Sequence, residues 1–160
     1  MAAWDAYLAA NVGAAAALLG LLFIGVSINL ERVLQYRGLP ERAIETLTMF
    51  GVVLLASSLL LVPDQPIWLT GLWVLFAGAL AWMATSWAAL AGRGAIPDGT
   101  RAVFASRLVL GQLTAAAYFV AGVMLAAGSS DGLYVFAGAV TLSYLMAVGG
   151  AWVLLVEINR

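Results

Sequence analysis

The chain has 160 residues, 64% of them hydrophobic and 9% charged, with a mean hydropathy of +1.04. An ordinary soluble domain is about 45–50% apolar and about 25% charged, so this chain has too little polar surface to be covered by water. It contains no Cys, His or Lys. That excludes disulfides, thiol chemistry, the commonest transition-metal and haem ligands, and any Schiff base to an aldehyde cofactor.

Charges punctuate the sequence and leave five uncharged runs: Ala6 to Leu30, Thr46 to Pro63, Gln65 to Gly92, Leu108 to Ser130 and Gly132 to Val156. A helix needs about 20 mostly apolar residues to cross roughly 30 Å of hydrocarbon, and each run is near that length. Strands would span with about 10 residues of alternating polarity, a period these runs lack. The expected fold class is therefore all-α. Residues 1–160 form a single transmembrane domain, a bundle of five helices at about 4–36, 41–62, 67–90, 99–127 and 133–158.

The first helix, Trp4 to Tyr36, begins at Met1-Ala2-Ala3-Trp4-Asp5 with no cation. A secretory leader would need a positive start before a short apolar core, so the segment reads as a retained span. Asn11 lies toward one end, Ser27 and Asn29 toward the other. Gly13, Ala17, Gly20, Ile24, Ser27 and Glu31 share a face at helical spacing. The stretch Ala14 to Leu30 resembles, in style alone, small bacterial polytopic membrane proteins, and carries no motif that would import an activity.

Gly38 suits a helix end and Pro40 the first turn of the second helix, Glu41 to Val62. Arg32 and Arg37 close the first helix while Glu41 and Glu45 open the second, each matching the sign of the helix dipole. Pro63-Asp64-Gln65-Pro66 removes two backbone donors and forces a reversal into the third helix, Ile67 to Leu90. The fourth, Gly99 to Ala127, is long for one bilayer, so Gly99 to Ser106 is expected partly in the headgroup layer. It carries Gln112, Thr114 and Tyr118 near its middle, with Gly111, Ala115, Tyr118 and Gly122 on one face. After Gly128-Ser129-Ser130-Asp131-Gly132, the fifth helix, Leu133 to Ile158, carries Thr141, Ser143 and Tyr144, with Ala137, Thr141, Tyr144, Val148 and Ala151 on one face.

All seven cations are Arg: Arg32, Arg37 and Arg42 around the first connection, Arg93, Arg101 and Arg107 around the third, and Arg160 at the end. The positive-inside rule places these segments in the cytosol, the amino terminus outside and the carboxyl terminus inside. The expected location is a bacterial inner (cytoplasmic) membrane. Trp4, Tyr7, Trp68, Trp87, Tyr134 and Trp152 fall where interfacial anchors belong.

Small residues at helical spacing let membrane helices approach closely. The first, fourth and fifth helices are therefore expected to pack together, within one chain or in a homo-oligomer. Ser27, Asn29, Gln112, Thr114, Tyr118, Thr141 and Tyr144 are candidates either for interhelical hydrogen bonds or for the lining of a hydrated path. Arg32, Arg37, Arg42, Arg93, Arg101 and Arg107 are candidate contacts to anionic lipids or to another membrane protein. No acid is placed at mid-membrane, which disfavours coupled transport. No paired aspartate, zinc motif or Ser with a base supports hydrolysis, and no soluble segment is long enough for a nucleic-acid-binding domain. The expected protein is no enzyme and has no cofactor. It is a homo-oligomeric passive channel or pore subunit or, alternatively, a non-transporting accessory or scaffold protein that binds lipids or another membrane protein.

Overall fold

Apolar runs of this length, bounded by Gly, Pro and charge, fold as helices because hydrocarbon offers the backbone no other hydrogen-bond partner. The computed structural model describes residues 2–36, 38–91 and 101–158. Its elements are α1 (Ala2–Ile28), α2 (Leu30–Gln35), α3 (Leu39–Leu60), α4 (Ile67–Ala91), α5 (Arg101–Ala126) and α6 (Gly132–Ile158). Among the described residues there is no strand. Five helices are long and apolar enough to cross a membrane, all but the short α2.

Helices α3, α4, α5 and α6 form a four-membered ring in which each packs on the next and α6 returns to α3. Helix α1 lies outside this ring, against α3. Burial follows the same order: 56% of the apolar window of α3 is buried against 17% of that of α1. The core of α3 is Met49, Phe50, Val52, Val53 and Ala56, and the ring adds Val74, Ala77, Tyr118, Leu125, Phe136 and Val140.

The first expected helix is not continuous. Asn29 has φ −108° and ψ 21° and separates α1 from α2. Its side-chain Nδ2 donates to the Gly25 carbonyl at 2.9 Å, the acceptor that helix geometry assigns to Asn29's own backbone N–H. The expected start at Gly99 and the cation Arg37 lie outside the described residues.

The turns bear out their chemistry. Gly38 takes φ 91° ahead of Pro40 in the first turn of α3. After α5, Gly128 at φ 90° forms a Schellman-type cap: Ser129 N–H donates to Met124 O and Gly128 N–H to Leu125 O, both at 2.9 Å. Between α3 and α4, Gln65 acts as a clamp that sequence reading missed. Its amide nitrogen donates to the carbonyls of Leu59 at 2.6 Å and Val62 at 3.1 Å, and its oxygen accepts from Trp73 Nε1 at 3.2 Å.

The small-residue stripes differ in fate. Gly111, Ala115, Tyr118 and Gly122 of α5 are all buried, and the α4–α5 crossing is the closest use of them. A Cβ on Gly71 would lie 2.7 Å from the Gly122 carbonyl oxygen and closer still to the backbone nitrogen of Ala126. Helix α1, in contrast, packs on α3 rather than on α5, and Leu8, Asn11, Ala15 and Leu22 are its buried residues. Its stripe faces away: Gly13, Ala17, Ile24 and Ser27 are exposed, and a Cβ on Gly13 or Gly20 would meet nothing within 4 Å.

These contacts separate two kinds of glycine. Gly71→Ala should destabilise the bundle by about 1–3 kcal/mol through overpacking against fixed backbone. In the dissociated single chain, Gly20→Ala should be neutral or stabilising by up to about 1 kcal/mol through helix propensity. Thermal unfolding followed by circular dichroism in detergent micelles distinguishes the two; equal melting temperatures would contradict the close α4–α5 crossing.

Candidate functional site

A polar side chain inside hydrocarbon must find its partner within the protein, and the structure shows where each sequence candidate finds one. Gln112 on α5 donates through Nε2 to Ser86 Oγ on α4 at 3.3 Å. Tyr118 on α5 and Ser143 on α6, both fully buried, meet at 3.1 Å. Ser143 already gives its one hydroxyl proton to the Ala139 carbonyl at 3.0 Å, so Tyr118 is the donor between them. Tyr144 on α6 donates to the backbone carbonyl of Asn11 on α1 at 3.1 Å, and Asn11 Nδ2 turns back to the Tyr7 carbonyl at 2.9 Å.

The remaining candidates look inward to their own helices or outward. Thr114 is buried and donates to Leu110 O at 2.8 Å. Thr141 is exposed and donates to Ala137 O at 2.9 Å. Asn29 donates to Gly25 O, and Ser27 is exposed on α1. Ser57 Oγ, fully buried in α3, stands apart in making no hydrogen bond. The candidates therefore do not meet at one centre: Gln112 joins α5 to α4, Tyr118 joins α5 to α6, and Tyr144 joins α6 to α1. Aromatic contacts reinforce the last joint, with Trp4 edge-on to Tyr134 at 5.0 Å and to Tyr7 at 5.7 Å.

The strongest electrostatic feature is an ion pair across the ring. Arg107 of α5 donates to Glu45 Oε2 of α3, a carboxylate whose side chain is 5% exposed. Glu31, Glu41 and Glu45 lie close in sequence to Arg32, Arg37 and Arg42, and Arg42 does act on the Glu45 carboxylate, but the guanidinium that hydrogen-bonds to it comes from 62 residues further on. A cavity of about 20 Å³, room for about one water, lies against the pair and is lined also by Thr85, Ala88, Phe104 and Leu108. Among the other candidate lipid or partner contacts, Arg32 is exposed and Arg42 half-buried. Arg101 opens α5, and Arg37 and Arg93 lie outside the described residues. Among the described residues no three of His, Cys, Asp and Glu come together as a metal site would require.

The second feature is a cleft of about 280 Å³ between α1 and α6, floored by Phe50 of α3. The two helices touch at Trp4–Tyr134 and at Asn11–Tyr144 and then part. Leu18, Leu21, Leu22, Gly25 and Val26 form one wall, and Val148, Ala151, Trp152, Leu154 and Leu155 the other. The α6 stripe thus marks where α1 meets α6 and where it leaves. Compared with known proteins, the chain matches no family model, no curated relative and no solved structure.

Arg107→Gln leaves a buried carboxylate without its countercharge and should cost roughly 3–5 kcal/mol. Glu45→Gln should cost less, because Arg107, 27% exposed, can turn its guanidinium toward polar surroundings. The double variant should be more stable than Arg107→Gln alone, measured as thermal unfolding in micelles. A double variant no better than that single variant would deny the pair its role.

Proposed function

We propose that this is a small multi-pass protein of a bacterial cytoplasmic membrane that works by lateral association, as a non-transporting accessory or scaffold protein and not as a catalyst. The observation that carries this reading is the outward stripe of α1, in which Gly13, Ala17 and Gly20 leave the helix backbone open to a neighbour. Such surfaces let membrane helices pack closely, and here the chain's own helices do not use it. The first partner proposed is a second copy of the chain; another membrane protein would use the same face. The mid-span polar groups support the reading, since Gln112, Tyr118 and Tyr144 are engaged in fastening helices to one another.

The second reading is a homo-oligomeric passive pore, and what favours it is the outward position of Ser27 and Thr141. A path lined by them would run between copies. In both readings the Arg-bearing connections face the cytosol and the Asp64 and Asp131 turns face outside, by the charge bias of the loops.

The absence of native cysteine makes single-cysteine reporters clean. Gly20→Cys and Gly13→Cys should form disulfide-linked dimers on oxidation in native membranes, while Val109→Cys, exposed on α5, should not. Absence of cross-linking from both α1 positions would overturn self-association. Liposomes containing the protein should remain as tight to potassium and glycerol as protein-free ones; measured flux would move the assignment to a pore. Asp131→Cys should react with an impermeant maleimide added outside intact cells and Gln35→Cys should not; the reverse pattern would invert the orientation.

A further inference from the structure

We propose that the cleft between α1 and α6 is a binding site for one acyl chain of a membrane phospholipid. Both walls lie within spans, Trp4–Ile28 and Gly132–Val156, so hydrocarbon is the medium that reaches the opening. The lining is apolar throughout apart from the indole N–H of Trp152. The volume, about 280 Å³, is about twice the roughly 150 Å³ that holds a benzene ring. That is a fit for a flexible alkyl chain; a helix, about 10–12 Å across with its side chains, is too thick to enter.

The polarity of the cleft also has a direction. On one side of it the two helices are joined by the hydrogen bond from Tyr144 to Asn11. Its outer end carries Trp152, 69% exposed in the last turns of α6, where an indole sits at headgroup level and donates to ester or phosphate oxygen. An apolar slot that ends in an indole donor matches an acyl chain whose ester oxygens lie at headgroup level. This site lies on the face of α1 opposite the Gly13–Gly20 stripe, so it is independent of the association proposed above.

Gly25 supplies the test, because a Cβ there meets nothing within 4 Å and a larger side chain enters the cleft without a backbone clash. The protein is extracted in mild detergent, supplemented with phosphatidylglycerol and weighed intact by native mass spectrometry. Wild type and Gly138→Leu, a control at another open glycine outside the cleft, should retain one lipid. Gly25→Leu and, independently, Ala151→Leu should lower the retained fraction at least ten-fold with helical content unchanged. Equal retention by the filled-cleft variants, or no lipid on wild type, overturns the proposal. So does a lipid-free dimer that Gly25→Leu dissociates, which would show that a second copy occupies the cleft.

Discussion

Hydrocarbon offers neither donor nor acceptor, and nearly every feature of this molecule follows from that constraint. The backbone is helical through each span, and the polar side chains within the spans, Ser57 apart, mostly reach a neighbouring helix or a carbonyl of their own. Gln112, Tyr118 and Tyr144 each bridge to a different helix. Such bonds contribute roughly 0.6–2 kcal/mol each, less than the burial of a well-packed side chain. Their directional nature fixes which helix faces which, where a slippery apolar contact would not.

The same constraint explains the architecture of unequal parts. A ring of α3 to α6 encloses the buried groups, including the Glu45–Arg107 pair that ties two helices across the ring. Helix α1 adds a fifth span by packing one apolar face on α3, and its remaining surface is as comfortable in lipid as in protein. Among the described residues α1 meets α6 at Trp4–Tyr134 and Asn11–Tyr144, and the cleft opens beyond the Tyr144 joint.

Much of this fold was legible in the sequence, because the signals for spans and turns are local. Hydropathy marked five runs, Gly38 and Gly128 marked helix ends, and the Pro63–Pro66 segment marked a reversal. The orientation of helix faces was not legible, since Gly, Ala and Leu are alike apolar and no water sorts them. For α5 the small-residue stripe is the buried face; for α1 the stripe is outside and Leu8, Ala15 and Leu22 are within. Glu45 and Arg107 were visible as charges near helix ends, but a pair separated by 62 residues leaves no periodic trace. The Asn29 break was hidden because it interrupts the helix without changing its hydropathy; Asn11 makes the same side-chain bond four residues back without a break. Gln65 was in plain view between two prolines, and a polar side chain there, next to freed carbonyls, was the available signal.

The hydrogen bond from Tyr144 to Asn11 joins residues 133 positions apart, and this has a consequence for biogenesis. Translation delivers the first span to the bilayer long before the last one has been made. During that interval the amino-terminal helix has α3 as a neighbour but not the phenol that completes its seating. Helix α1 is therefore fully secured only once α6 has been made, and any nascent-chain partner has that window in which to reach it.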